Sequence, residues 1–516
     1  MTTRSPTHQT PLLSTQNNWK LILFLILPIQ ALAFNQFAFI TADPDLWGHI
    51  KFGEASWLQK SLQPVNFYSY TAPDYRWINH EWIAEIIFYA IYYLFGSTGL
   101  LAFKFFLGQT MIHIITIYNL RNKANPWVLI PLMVMAIPVL APGFMVRPHL
   151  WTTLFFTIFI LLLHKGLEEN PKILLWIPLL MLIWVNCHGG VVAGLGIFFA
   201  VTLTESIRSL MSGGKLNQPL LIAFATSCLM VLINPSGIEL WEFFYHSLSQ
   251  SRNISEWNSV PLWGTEFIFL KILTILFLIT LFLPGKKQSW KIVMVFLVIY
   301  FGFKHQRHTI LTAIVLTFYL PLVLSKGLIL WGENYSHLFK TGNWMVPAQL
   351  ILLVFMCLQF LDGYKKYSQN QFKILVEPQV YPSYLIQFME ENEFKGNILV
   401  PFDWGEFLIW KLPDSKISID GRFRTAYPET IINWNQKVYS IKNPDTKLLN
   451  QYQTDFIVTR KKVTPNNYLA NNEEWIKIYE DLIASLFVKK NHDAILKDFN
   501  NDRFIHPKNP PSYSFP

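Results

Sequence analysis

Long apolar runs alternate with short polar breaks through roughly the first two-thirds of the chain, and about 18 such residues suffice to cross a bilayer as a helix. The first run covers residues 19–40. Later ones are "TGLLAFKFFLGQTMIHIITIYNLRNK", "WVLIPLMVMAIPVLAPGF", "RPHLWTTLFFTIFILLLHK", "ILLWIPLLMLIWVNCHGG", "VVAGLGIFFAVTLTESIR", "PLLIAFATSCLMVLINPSG", "TEFIFLKILTILFLITLFLPGKK", "WKIVMVFLVIYFGF", "TILTAIVLTFYLPLVLSK" and "NWMVPAQLILLVFMCLQFL". The pattern predicts an α-helical polytopic membrane protein of about eleven spans. Two weaker stretches, "DLWGHIKFGEASWLQK" and "HEWIAEIIFYAIYYLFG", read as amphipathic helices lying on the membrane between the first two spans.

From about residue 362 the long runs stop and charge rises, which ends the membrane-like pattern. "NILVPF", "KISID", "DFIVTR" and "SLFVKK" read as strands, and "YPSYLIQFMEEN" and "NPDTKLLNQY" as helices. The expected organisation is a tail at residues 1–18, a transmembrane domain at 19–361 with a first outer loop at 41–97, and a soluble α/β domain at 362–505. A Pro-rich tail at 506–516, expected to be disordered, completes it.

Composition agrees with the membrane reading: the chain is 52% hydrophobic and only 15% charged, below the roughly 25% of soluble domains. The net charge of +9 follows from basic residues in short loops rather than from a nucleic-acid surface. Placing Arg4, Lys20, Arg121, Lys123, Lys165, Lys172, Arg208, Lys215, Lys286, Lys287, Lys291, Lys326 and Lys340 on the cytoplasmic side satisfies the positive-inside rule. The N-terminus is then cytoplasmic, the α/β domain lies outside, and the location is a cytoplasmic (inner) membrane. Cys187, Cys228 and Cys357 lie in or beside apolar segments and imply no disulfide framework.

That orientation gathers the unusual polar residues on the outer side. Asp43, Asp45, His49, His80, Glu81, Arg147, His149, Asn186, His188, Arg307 and His308 fall at outer ends of spans or in outer loops, and Lys104 and Lys271 sit just inside outer ends. Ionisable groups at such depth face a cavity or a partner. Asp43 before Pro44 suits a helix start. Asp45 and His49, four apart, share a helix face as a surface contact, a metal site or an acid–base pair. A carboxylate here can take the proton of an attacking hydroxyl while Arg and Lys hold a departing phosphate. A lipid-linked sugar phosphate is a donor that this interface supplies.

The layout resembles the GT-C superfamily of membrane glycosyltransferases, which use polyprenyl-phosphate-linked sugars. "DPD" matches their acidic first-loop motif in position and type, and "WINHEWIAEIIFYAIYYLFGSTG" is similar to the second membrane-parallel helix of protein O-mannosyltransferases and aminoarabinose transferases. "FDWGEFLIWKLPDSKISIDGRF" is similar to the Trp-Trp-Asp-Tyr-Gly region of oligosaccharyltransferase catalytic subunits, with Phe402 and Trp404 departing from it, so sequon recognition does not carry over. A group of uncharacterised bacterial membrane proteins shares "NHEW", "RPH", "N-x-HGG" and "DGR".

The resemblance implies transfer of a sugar to a glycan, lipid or protein acceptor outside the membrane, with Asp43 and Asp45 as base or metal ligands and Mg²⁺ or Mn²⁺ as the metal. By charge and depth, Arg147, Arg307, Lys104 and Lys271 would bind lipid phosphate. His80 and Glu81 would line a donor or acceptor pocket, and Asp403, Trp404, Asp420 and Arg422 an acceptor-facing edge, unless "SIDGR" is a strand and turn closed by an internal Asp–Arg pair. The rival classes are a transporter or flippase for lipid-linked glycans, which would show repeat-related halves, and a non-catalytic envelope-assembly protein.

Overall fold

The computed structural model describes residues 19–249, 255–285, 287–332, 345–440, 445–461, 469, 472–507 and 511–515. The tail at 1–18, with Arg4, lies outside them, as do Lys286 and Lys340. In chain order the helices are α1 (Trp19–Gln36), α2 (Leu46–Gln59), α3 (Trp82–Arg121), α4 (Pro126–Leu140), α5 (His149–Glu168), α6 (Ile177–Val185), α7 (Val191–Met211), α8 (Gln218–Met230) and α9 (Glu239–Ser249). They continue with α10 (Ile268–Thr280), α11 (Ser289–Lys304), α12 (Thr309–Gly332) and α13 (Met345–Ser368). Among the described residues, 6 helices are long and apolar enough to cross a membrane, with shorter apolar helices at Pro171–Val185, Gln218–Met230 and Ile268–Thr280.

Gly96, the last residue of the stretch "HEWIAEIIFYAIYYLFG", breaks the helix. Helix α3 runs on through it, but Gly96 itself has φ 61° and ψ −161°, a conformation that favours glycine. Residues 82–95 and 97–121 are therefore two helical pieces joined at a glycine hinge.

The chain divides into two compact units. The first comprises residues 1–38, 107–142 and 258–366. In it α4 packs on α1, α10 and α12, and α12 packs on α11. Among its buried polar groups, Asn119 closes on backbone carbonyls, its Nδ2 donating to the Ile115 and Thr317 oxygens, both at 2.9 Å.

The second unit comprises residues 39–106, 143–257 and 367–516. Helices α5 to α8 pack on one another, and α2 packs on a short helix, α15 (Gly405–Lys411). The C-terminal part adds α14 (Ser383–Glu391), α16 (Glu429–Val438), α17 (Lys447–Gln451) and α18 (Asp493–Asn500) around a mixed sheet. Its strands are β1 (Asn397–Leu399), β2 (Lys416–Ile417), β3 (Phe456–Arg460), β4 (Trp475–Glu480) and β5 (Ala484–Lys489), in the order β2-β1-β3-β5-β4. Strand β1 is parallel to β2 and β3, while β5 is antiparallel to β3 and β4. Four of these strands follow the sequence expectation; β4 does not, because "WIKIYE" alternates imperfectly and carries an irregularity between Lys477 and Tyr479.

The 41–97 segment is woven into this domain. Thr41 and Leu375 form a parallel strand-like bridge, Ala42 N donating to Leu375 O and Leu375 N to Ile40 O, and Tyr70 N donates to Ile417 O at 3.2 Å. Trp47, 1% exposed, is ringed by Tyr381, Phe407, Trp410 and Phe515, with the Phe515 centroid 4.3 Å away. Burying an indole on this scale contributes about 3 kcal/mol. The expectation of a disordered Pro-rich tail is thus corrected for residues 511–515: Val376 N donates to Tyr513 O at 2.7 Å, and Phe515 fills the core.

Candidate functional site

The polar cluster of the second unit is built from the start of α2, the start of α3 and the approaches to α5 and α7. Residues 41–45 turn into α2 with Asp45, not Asp43, at the position before the helix, and Asp45 makes no side-chain bond to the helix N-terminus. Asp43 instead closes a small turn, its Oδ1 accepting from the Asp45 N–H at 3.0 Å. The Asp43–Pro44 helix start expected from the sequence is thus the turn that leads into α2, held by the Asp43 side chain.

Both carboxylates face one guanidinium. Arg147 Nη2 donates to Asp45 Oδ2 at 2.6 Å, and Nε and Nη1 lie 3.4 Å from the two Asp43 oxygens. Glu256 Oε1, on an exposed side chain, stands 3.5 Å from Nη1. Burial pushes the Asp43 carboxyl up to about 6, against the pull of Arg147 and with the push of Asp45. The charges of Asp43 and Asp45 hold Arg147 well above its ordinary range although burial opposes them.

One turn along α2, His49 turns away from Asp45. Its Nδ1 pairs with Glu85 Oε1 at 3.3 Å, and Asn79 Nδ2 donates to Glu85 Oε2 at 2.7 Å. Burial lowers the His49 pKa, but the bond to Glu85 and the charges of Glu81, Glu85 and Asp45 outweigh it and raise it overall. The Asp45–His49 pair read from the spacing is therefore a His49–Glu85 pair.

Glu81 stands between two more imidazoles, 3.8 Å from His80 Nε2 and 3.6 Å from His188 Nε2. His188 has a fixed tautomer. Its Nδ1 accepts from the Gly190 N–H at 3.0 Å and lies 2.7 Å from Thr152 Oγ1, which itself accepts from Trp184 Nε1. A nitrogen that accepts carries no proton, so the His188 proton sits on Nε2, toward Glu81.

Two oxygen sets bear on a divalent cation. The Asp43 and Asp45 oxygens are engaged by Arg147, whose charge stands where a cation would. His49, Glu81 and Glu85 bring one ligand atom each within 4.8 Å of one another, and this is the group among the described residues that could hold a metal. Imidazole with two carboxylates suits Mn²⁺ or Zn²⁺ better than Mg²⁺, which prefers an all-oxygen shell.

The other expected residues are placed as follows. Asn186 is satisfied structurally: its Oδ1 accepts from Trp82 Nε1, and its Nδ2 donates to the Leu182 and Ile233 oxygens, all at 2.9 Å. His149 opens α5 two residues after Arg147. Lys104, fully buried, donates to Phe39 O and lies 5.8 Å from the Tyr367 ring centroid.

Asp403 pairs with Arg460, whose guanidinium stacks 4.4 Å over Trp404; Trp404 is buried and donates to Val380 O at 2.8 Å. Asp420 and Arg422 are the internal pair that "SIDGR" allowed, bonded at 2.6 and 2.9 Å. Arg422 sits among the rings of Trp77, Phe52, Tyr68 and Tyr427 at 4.5 to 5.9 Å. Arg422, through these rings and a bond to Asn66 Oδ1, ties the α/β domain to the 41–97 segment, whereas Asp403 and Trp404 pair within the α/β domain.

Lys271, Arg307 and His308 belong to the first unit. Lys271 Nζ donates to Gly264 O at 3.1 Å, and the His308 ring meets that of His305 edge-on at 5.6 Å.

Glu85 and Glu406 were missed. Glu85 had a signal, because Glu81 and Glu85 are four apart and share a helix face. Glu406 had none, since only the tertiary fold brings residue 406 to residue 48. Beside the cluster runs an apolar groove of about 420 Å³ lined by Trp82, Ile83, Leu182, Ile183, Ile233 and Pro235 with Asn186 and Asn234.

Solved structures locate the fold. The oligosaccharyltransferase of Archaeoglobus fulgidus in the apo form matches with a TM-score of 0.55 and 10% identity, over 86% of this chain and 70% of that one. The A. fulgidus oligosaccharyltransferase AglB in complex with an inhibitory peptide and a dolichol-phosphate matches at 0.52 and 11%, over the same shares. ArnT from Cupriavidus metallidurans bound to undecaprenyl phosphate matches at 0.47 and 11%, over 92% of this chain and 99% of that one. No protein-family model and no curated protein sequence matches the chain. The chain shares the fold of these two oligosaccharyltransferase structures, with several apolar helices and a small C-terminal sheet domain.

Proposed function

We propose that the chain is a membrane glycosyltransferase that moves a sugar from a polyprenyl-phosphate donor to an acceptor hydroxyl or amide outside the cytoplasmic membrane. The observation that carries the reading is the Asp43–Arg147–Asp45 cluster: a carboxylate with a pKa pushed up to about 6, mostly ionised at neutral pH and still basic enough to accept a proton. Asp43 takes the proton of the acceptor as it attacks the sugar's anomeric carbon. The bond from that carbon to the phosphate oxygen breaks, and its electrons leave on the lipid phosphate.

Arg147 orients both acids and supplies the positive charge nearest to the departing phosphate. The neighbouring apolar groove, opening at Trp82 next to Glu81, suits an isoprenoid chain. His49, Glu81 and Glu85 are the residues that would hold a divalent cation, which would supply charge to the phosphate. Lys104, Lys271, Arg307 and His308 are assigned no role in the chemistry.

The test is glycan analysis of the cell envelope. A deletion strain should lose one sugar modification, restored by the wild type and not by Asp43→Asn. Full restoration by a well-expressed Asp43→Asn removes the catalytic assignment. The transporter and scaffold readings gain no specific observation.

A further inference from the structure

Helix α2 begins without help from its own first residue. Asp45 precedes it but makes no capping bond, because its carboxylate is turned to Arg147. An N-terminal N–H left bare in a buried helix costs free energy, so another acceptor is expected. That acceptor comes from more than 350 positions away: Glu406 Oε2, on α15, accepts from the Gly48 N–H at 3.1 Å.

The approach needs glycine on both sides. A Cβ at Gly48 would lie 2.2 Å from Glu406 Oε2, and a Cβ at Gly421 would lie 2.3 Å from Asp45 Oδ1 and 2.7 Å from Glu406 Oε1. The second oxygens of Glu406 and Asp45 thus press on the same bare backbone. Glu406 is 3% exposed, with no water shell to soften two facing carboxylates.

We propose that Glu406 is the positioning residue of the acidic first loop: Oε2 caps α2 while Oε1 donates a hydrogen bond to Asp45 Oδ1. Asp45 then offers its other oxygen to Arg147. The proposal deepens the sugar-transfer reading, since Asp45 belongs to that site, but its structural core stands without it.

An oxygen that donates must carry a proton, and the surroundings of Glu406 favour one. The charged groups facing it are Asp45 before α2, Asp420 and Arg422 after β2, and Glu85 on α3. Three are acids. Burial first, then the charges of Asp45 and Asp420, raise its pKa well above the usual carboxylate range, against the pull of Arg422. Because Oε2 is taken up by an N–H, the proton belongs on Oε1. One neutral acid so satisfies a helix end and an aspartate together, which a carboxylate could not do.

Glutamine has the same shape and reproduces both bonds, its carbonyl accepting and its amide donating. Glu406→Gln is therefore expected to keep the wild-type melting temperature, whereas Glu406→Ala loses the cap and melts lower. In a transfer assay Glu406→Gln should stay within about 3-fold of wild type and Glu406→Ala fall more than about 10-fold.

Infrared spectroscopy of the full-length protein in lipid nanodiscs at about pH 8, where an ordinary carboxyl is ionised, gives an independent readout. A protonated-acid C=O stretch should be present in the wild type and missing in Glu406→Gln. Absence of that band from the wild type, or a Glu406→Gln variant as impaired as Glu406→Ala, overturns the proposal. Neither the melting nor the infrared readout depends on sugar transfer, so failure of the proposal is distinguishable from failure of the function.

Discussion

Arg147 Nη2 donates to Asp45 Oδ2 at 2.6 Å, joining the approach to α5 to the turn before α2 across 102 positions of sequence. The same guanidinium reaches Asp43, so two acids that would repel one another are held by one cation. Replacing Arg147 by Lys keeps the charge but loses the planar fork that serves both carboxylates. Arg147→Lys should lower transfer activity by about 10- to 100-fold, and Arg147→Ala more. Without the cation the raised pKa of Asp43 should rise further, moving the acid limb of the pH profile upward. An unmoved limb in Arg147→Ala would show that Arg147 does not act on Asp43.

The pH dependence of the wild type follows from Asp43. Its pKa is pushed up to about 6, so the carboxylate that accepts a proton prevails above that value and disappears below it. kcat/KM is expected to fall about tenfold per pH unit below about 6, with a single-proton slope. A flat profile between pH 5 and 7, read as rates at limiting donor, would contradict Asp43 as the base.

Cation binding separates the two acidic sets. Mn²⁺ or Zn²⁺ titrated calorimetrically into the purified protein should bind at His49, Glu81 and Glu85, and binding should be lost in Glu81→Gln and kept in Asp45→Asn. Because His49 bears a raised pKa and pairs with Glu85, binding should release a proton, detectable as a dependence of the measured heat on buffer. Loss in Asp45→Asn with binding kept in Glu81→Gln would place the cation at Asp45 instead.

Asp420 and Arg422 predict a stability effect rather than a catalytic one. Both are buried, bonded to each other, and closed in by Phe52, Trp77, Tyr68 and Tyr427. Removing one partner leaves an uncompensated buried charge, at a cost of about 3–5 kcal/mol. Asp420→Asn should therefore lower the melting temperature sharply, and adding Arg422→Met should recover part of the loss, as thermal unfolding of the pair of variants would show.

The sequence made the long apolar helices legible because apolar length is a local property. Gly96 could be read as a break for the same reason, a glycine between two apolar stretches. Which groups the "DPD" acids meet was not legible in the sequence. Spacing along α2 proposed Asp45 with His49, whereas packing against α3 gave His49 to Glu85 and Asp45 to Arg147. Such pairings depend on which helices cross, and no periodicity encodes that. Glu406 was invisible for a sharper reason: its meaning comes from the close approach of Gly48 and Gly421, two residues that announce themselves only by lacking a side chain.

The most direct test of the account uses the purified protein in nanodiscs containing polyprenyl-phosphate sugars and a crude envelope acceptor fraction. The quantity measured is free polyprenyl phosphate released per enzyme. The account predicts release by the wild type that requires the acceptor fraction, and release at least about 100-fold lower for Asp43→Asn. Equal release by wild type and Asp43→Asn would contradict it.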